Sequence, residues 1–308
     1  MSYIKKEFKT LSSDGIHTLT GVIYVPEGEK KGFFHIVHGM AEYIVRYEHI
    51  MSSLAEAGYI CFGYDHLGHG RTAKDKSELG FIAPKKGYDL LCRDVKVFSD
   101  AVREEYDQNL DLPYYLMGHS MGSFVVRLAT ERYVQPDKLI IMGTGGANPA
   151  SGVGIALTSL IGLFKGKRHV SKLIYKLAFG GYTSRFKNDP DVCSRSWLST
   201  DPVKRDMYKG DEFCGFPFSV SAMGDLMTLL QKCNRSAWYK NMPPIPMLLV
   251  AGEDDPVGNY SKGVLEVEKK LKKRGHNARA IIYKGARHEI LNDFTYDEVK
   301  KDILEFVK

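Results

Sequence analysis

An α/β domain built on a mostly parallel sheet, interrupted once by a long insertion, is the fold class this 308-residue sequence predicts. Three observations carry that expectation. Short apolar runs alternate with stretches of helical spacing, and the joins between them are short. The alternation stops for about 90 residues and then resumes. Strand, helix, strand, helix with short joins gives a parallel sheet covered on both faces.

The chain opens with two alternating stretches, residues 4–11 and 17–25, joined by Ser12-Ser13-Asp14-Gly15, which is the pattern of a hairpin. Residues 33–37 form a continuous apolar run, as in a buried strand, and lead into His38-Gly39-Met40. Tyr47, Ile50, Met51, Leu54 and Ala55 recur at helical spacing, and Gly58 closes that helix. Residues 59–64 are a further strand, ending in Asp65-His66-Leu67-Gly68-His69-Gly70-Arg71-Thr72. Leu90, Leu91, Val95, Val97, Phe98 and Val102 mark a long amphipathic helix over 87–106. A strand at 114–117, a helix at 124–129 and a strand at 138–143 follow. Residues 146–240 show no such rhythm. It returns with a strand at 246–252, a charged helix at 261–274, a strand at 278–283 and a helix at 296–307. The expected organisation is therefore a core of residues 1–145 and 241–308 with residues 146–240 inserted between two of its strands.

Composition is ordinary for a globular chain, at 44% hydrophobic and 26% charged. No run approaches the ~20 apolar residues of a membrane span. The first seven residues lack the apolar run of a signal peptide. Cys61, Cys92, Cys193, Cys214 and Cys233 are odd in number and form no C-x-x-C pair, which favours free thiols in a reducing cytoplasm. There is no H-E-x-x-H, no clustered Cys/His spacing and no G-x-G-x-x-G, so neither a metal nor a nucleotide or redox cofactor is implied. The net charge of +6 is unevenly placed. Residues 151–240 hold 14 Lys and Arg against 7 Asp and Glu, a net +7, which leaves −1 for the remainder. No recognition motif for nucleic acid accompanies this charge. It marks either a solvated basic face or a contact with an anionic surface.

The chemistry centres on Gly118-His119-Ser120-Met121-Gly122, a G-x-S-x-G set between a strand and a helix. That is the context of a nucleophile elbow, where glycines two residues either side of a strained serine avoid clashes. A serine hydroxyl needs a base, and the base needs an orienting acid. Asp255 follows the 246–252 strand, and Pro256 fixes the turn just beyond it; Glu253 and Asp254 compete for the role. His288 follows the last strand and completes the order serine, acid, histidine. The other histidines read more plainly: His169 and His276 lie in basic loops, His66 and His69 in a glycine-rich turn. His119 is expected to point elsewhere, and His38 to hydrogen-bond loops. The oxyanion formed in ester cleavage needs donors, expected from the backbone N–H groups of Met121 and Met40.

Together these residues resemble the α/β-hydrolase family, in particular its monoglyceride lipase and lysophospholipase branch. His38-Gly39-Met40-Ala41-Glu42-Tyr43-Ile44-Val45-Arg46-Tyr47 is similar to that branch's H-G-x-x-E-H-x-x-R-Y, with Tyr43 in place of histidine. Asp65 to Thr72 resembles D-x-x-G-H-G-x-S with Thr72 for serine, and the elbow resembles G-H-S-M-G-G with Ser123 for the last glycine. Ser123 is expected to crowd the elbow helix slightly. The resemblance implies a serine ester hydrolase acting on monoacyl lipids or similar small esters, with residues 146–240 as a cap. Two apolar stretches there, 155–164 and 173–179, interleave with Lys165, Lys167, Arg168, Lys172 and Lys176. This suits a lipid chain, a transient contact with an anionic bilayer, or packing on the core. It also implies a preference for phosphate-bearing lipids over neutral glycerides. A short-chain or aromatic carboxylesterase, an aminopeptidase needing acids in the cap such as Asp211 and Glu212, and a non-catalytic binding protein are the rival readings.

Overall fold

In the computed structural model, which describes residues 2–107 and 111–308, the expected hairpin forms from β1 (Tyr3–Leu11) and β2 (Thr18–Pro26). Six more strands follow: β3 (Gly32–Val37), β4 (Tyr59–Tyr64), β5 (Tyr114–His119), β6 (Lys138–Met142), β7 (Met247–Gly252) and β8 (Ala278–Tyr283). They make one sheet in the order β1-β2-β4-β3-β5-β6-β7-β8. β2 pairs antiparallel with β1 and β4, and every other pairing is parallel. The central strands are buried on both faces, which is why they read as unbroken apolar runs.

Alternate strand residues face opposite layers. Leu116, Leu139 and Leu249 point to one core, which includes Phe98 of α2 (Gly87–Tyr106), Val125 of α3 (Met121–Arg132) and Val267 of a later helix. Met117, Ile140 and Leu248 point to the other, which α1 (Glu48–Glu56) covers with Met51 and Leu54, and the C-terminal helix with Val299 and Ile303.

Between β6 and β7 the chain forms α4 (Ser151–Lys165), α5 (Lys172–Phe179), α6 (Pro202–Gly210), α7 (Val220–Cys233) and α8 (Ser236–Asn241). The two expected apolar stretches correspond to α4 and α5. α7 packs on α2 and α3 as well as on α4. α9 (Lys262–Lys273) and α10 (Tyr296–Val307) complete the chain. Among the described residues no helix is long and apolar enough to cross a membrane. All five cysteines are free thiols.

Buried Arg127 ties the loop after β6 and the end of α7 to α3. It donates to Thr144 Oγ1 and the Gly145 carbonyl in the first, and to the Cys233 carbonyl and Asn234 Oδ1 in the second. Its guanidinium lies 4.2 Å from the centre of the Trp238 ring, and Trp238 Nε1 donates to the Arg127 carbonyl at 2.8 Å. Asn234 Nδ2 also donates to the Gly145 and Gly146 carbonyls, so the loop after β6 and the end of α7 are fastened to each other.

Asp225 of α7 supplies a cap that α2 lacks. Lys86, before α2, has a left-handed φ of 54° and makes no side-chain cap. Asp225 Oδ1 accepts from the Tyr88 N–H at 3.0 Å, while buried Oδ2 has no partner among the described residues. Burial pushes the Asp225 pKa up to about 7, against the Tyr88 and Gly87 N–H groups and the charge of Lys167. The folded state therefore binds this proton more tightly than the unfolded chain, where the value is about 3.9. The group's contribution is most favourable below about pH 4 and is lost as pH rises through about 7. Asp225→Asn keeps an acceptor for Tyr88 and removes the charge. Urea unfolding should find it more stable than wild type at pH 8 by about 1–3 kcal/mol, with the gap closing towards pH 4. A gap independent of pH would contradict this account.

Candidate active site

β5 ends at His119 and α3 begins at Met121, so Ser120 alone makes the turn. Its φ of 54° and ψ of −121° are a strained pair for a residue with a side chain. The surroundings hold it there. The Ser120 N–H donates to the Met142 carbonyl of β6 at 3.0 Å. The Ser120 carbonyl accepts from the Ser123 N–H at 2.9 Å and from Ser123 Oγ at 2.6 Å. Ser123 therefore does not crowd the helix; its buried hydroxyl closes the turn. The two glycines are required sterically. A Cβ at Gly118 would meet the Gly122 carbonyl, and one at Gly122 the carbonyls of Val37 and His38.

His288 sits on the loop after β8, with Nδ1 donating to Asp255 Oδ2 at 2.9 Å. Asp255 is fully buried, and its Oδ1 accepts from the Val257 N–H at 2.8 Å. Its two rivals are engaged elsewhere. Asp254 pairs with Arg185 at 3.0 Å, and Glu253 accepts from the Gly285 N–H at 3.1 Å. Ser120, His288, Met40 and Met121 line a common cavity of about 960 Å³. Met121 opens α3, where the first N–H groups have no intrahelical acceptor. Gly39 brings the Met40 loop against the serine; a Cβ there would stand 3.1 Å from Ser120 Cβ.

His38 behaves as its position suggests: Nδ1 donates to the Gly39 carbonyl at 2.8 Å and Nε2 accepts from the His66 N–H at 3.0 Å. His119 does not. The elbow turns it back towards the site, with its ring 4.7 Å from that of His288 and Nε2 donating to the His288 carbonyl at 3.2 Å. Nδ1 faces Tyr47 Oη at 2.8 Å and Glu42 Oε1 at 3.4 Å. Here lies a network that motif reading did not find. Arg46 pairs with Glu42 and forms two bonds, of 2.9 and 2.7 Å, to Glu289 beside His288. Tyr47 donates to Glu42 Oε1 at 2.8 Å, and so does the Gly39 N–H at 2.6 Å. Burial alone would raise the Glu42 pKa, but Arg46 and His119 hold it well below the usual carboxylate range. Burial would lower that of His119, but the Glu42 carboxylate outweighs it and the net shift is upward.

The histidine loop is also held from the side. The His288 N–H donates to the Trp197 carbonyl at 3.3 Å and the Glu289 N–H to the Leu198 carbonyl at 2.7 Å. Arg287 donates to the Ser196 and Ser199 carbonyls, pairs with Asp189 and lies over the Phe186 ring. Part of the chain between β6 and β7 thus buttresses the loop that carries His288. The family departures are accommodated: Tyr43 Oη donates to Asp211 at 2.8 Å, and Thr72 Oγ1 accepts from the Thr20 N–H at 2.9 Å.

A strained serine at a strand-to-helix turn, with a buried His–Asp pair on the wall of the same cavity, defines a serine hydrolase of the α/β-hydrolase fold. Residues 28–295 match the family described as serine aminopeptidase, S33, and the chain belongs to that family. It is similar to the monoacylglycerol lipase of Mycolicibacterium smegmatis, at 24% identity over 92% of this chain and 91% of the relative. Human monoglyceride lipase is 25% identical over 85% of this chain and 77% of its own. A carboxyl esterase from Bacillus coagulans is 30% identical, with a TM-score of 0.91 over 98% of this chain and 97% of that one.

A raised His119 pKa adds stability below the unfolded value of about 6.5, and that stability is lost as pH rises through the folded value. Glu42→Gln removes its cause. The variant should lose about 3 kcal/mol of stability, and imidazole NMR should show His119 titrating at lower pH. A His119 titration unmoved by Glu42→Gln would refute the assignment of Glu42 as the cause.

Proposed function

We propose that the protein is a serine ester hydrolase that cleaves monoacyl lipids, monoacylglycerol or lysophospholipid, or similar small carboxylic esters, through an acyl-enzyme. The observation that carries this reading is the buried Asp255–His288 pair, whose histidine lines the cavity that Ser120 also lines. Ser120 Oγ attacks the ester carbonyl and His288 Nε2 takes its proton. Asp255 holds the imidazole through Nδ1 and stabilises the imidazolium that forms. The N–H groups of Met40 and Met121 hold the oxyanion. His288 passes its proton to the departing alcohol, and water, deprotonated by the same histidine, then releases the acid and restores the serine.

The cavity size and apolar wall support an acyl chain as one part of the substrate: Leu157 of α4, Ile174 and Leu177 of α5 and Met227 of α7 line it. The similarity to monoacylglycerol lipases and to a carboxyl esterase points the same way. The family description keeps aminopeptidase activity as the second reading. Holding a substrate ammonium needs a free carboxylate, and the cavity's acids are engaged: Glu42 and Glu289 by Arg46, Glu266 by Lys270. That favours the ester.

Within residues 146–240 we assign α4 and α5 the role of the cap. Their outer face is apolar and does not pack on the core: Leu163 is 75% and Phe164 79% exposed. Leu160 and Leu173 are exposed beside Lys165, Lys172 and Lys176. Such a face suits transient contact with an anionic bilayer, from which a lipid would enter the cavity. Free thiols fit a cytoplasmic location.

Ser120→Ala should abolish both p-nitrophenyl ester hydrolysis and labelling by a fluorophosphonate probe. An ester panel varied in acyl length, run beside an aminoacyl-amide series, separates esterase from peptidase. Persistent labelling of the alanine variant would sink the assignment. For the cap, the double change Leu163→Asp and Phe164→Asp should weaken co-sedimentation with phosphatidylglycerol vesicles about tenfold or more. Equal sedimentation of the two proteins would remove the bilayer contact.

A further inference from the structure

We propose that the cavity contains a subsite for an anionic group on the leaving-alcohol side of the substrate, with Arg195 as its cation; this rests on the ester-hydrolase reading above. Arg195 lies between α5 and α6, two residues before Trp197, and both line the cavity with Ser120. The Trp197 ring stands 5.1 Å from that of His288. His288 must hand its proton to the departing alcohol, so the alcohol has to lie against this side of the site. Arg195, two residues before Trp197 on the wall of the same cavity, is the cation we assign to what the alcohol carries.

The acids that line the cavity are all paired. Glu42 and Glu289 share Arg46, and Glu266 is paired with Lys270. The acids of its own segment are taken as well: Asp189 by Arg287 and Asp191 by Arg205. Asp254, beside the histidine's partner, is held by Arg185. Among the described residues the Arg195 guanidinium has neither a carboxylate within ion-pair distance nor a hydrogen-bond acceptor, and its Nε is buried. A partly buried donor without an acceptor is unfavourable until a ligand supplies one. A guanidinium offers a planar fork that matches the paired oxygens of a phosphate or a carboxylate. The lysines of α5 are different in kind. Lys172 and Lys176 are exposed, where salt screens them; Arg195 faces the cavity.

The substrate class is thus an acyl ester whose alcohol bears an oxyanion, as phosphate or as carboxylate. Three esters of one acyl chain test this: a neutral monoacylglycerol, a monoacylglycerol phosphate and an acyl ester of glyceric acid. The readout is the ratio of kcat/KM for each anionic ester to that for the neutral one. Wild type should favour at least one anionic ester about tenfold, and Arg195→Gln should lower that ratio about tenfold, with Arg195→Lys between the two. The phosphate and carboxylate arms decide which anion fits. A wild-type ratio near one overturns the subsite. So does an equal loss on neutral and anionic esters, which would mark Arg195 as structural. Calorimetry of Ser120→Ala with dodecyl phosphate and dodecanol reads the subsite without turnover. The phosphate should bind about tenfold more tightly, and adding Arg195→Gln should erase the difference. If no ester is cleaved by the wild type, the hydrolase reading fails and the binding arm still decides Arg195. If esters are cleaved and the ratio does not move, the subsite alone fails.

Discussion

Ser120 keeps its left-handed backbone only because Gly118 and Gly122 let β5, β3 and α3 approach more closely than any side chain would allow. That close approach orders much else. It sets the start of α3 under the cavity and turns His119 back beside His288. It also brings Gly39 and the Met40 loop against the serine. The strain at one residue is sustained by bonds from its neighbours: the Met142 carbonyl on one side and Ser123 on the other. A sheet buried on both faces supplies the rigidity that such a turn requires.

Behind this turn the molecule keeps an unusual amount of charge out of water. Glu42, Arg46, Glu289, Tyr47 and His119 form one connected set, and each member has more than one partner. Buried charges of this kind are tolerable only when geometry satisfies them on several sides. Their effect on the site is positional. Glu289 adjoins His288, and His119 bonds its carbonyl, so the histidine loop is fastened to the elbow and to the loop after β3 together. The chain between β6 and β7 fastens it from another side, through Trp197, Leu198 and the bonds of Arg287 to Ser196 and Ser199. The pairing that satisfies the cavity's carboxylates leaves Arg195, which lines the same cavity, without a carboxylate partner among the described residues.

Much of the fold was legible in the sequence. β4, β8, α2 and α10 fall on the expected residues, because each has a single clear periodicity or a continuous apolar run. β5 runs two residues beyond its apolar run, through Gly118 and His119, because strand pairing with β6 continues to Met142. α7 was not legible. It packs against α4 on one side and α2 and α3 on another, so its apolar face is broad rather than a narrow stripe. α6 and α8 are short, and their backbone follows tertiary contacts such as the Trp238 anchor more than local pattern.

The sequence by itself determined the elbow, the order serine, acid, histidine, and the glycines those positions demand. These are requirements between neighbouring residues along the chain, and neighbours in sequence carry them. Only the tertiary structure decided which of three adjacent acids faces His288, where His119 points, and that the cavity-lining Arg195 has no carboxylate partner among the described residues. Those outcomes depend on which side chains from distant segments come within a few ångströms of one another. Glu42 and Glu289 meet one arginine, Glu289 at a sequence separation of 243 from Arg46, a distance that no local pattern records.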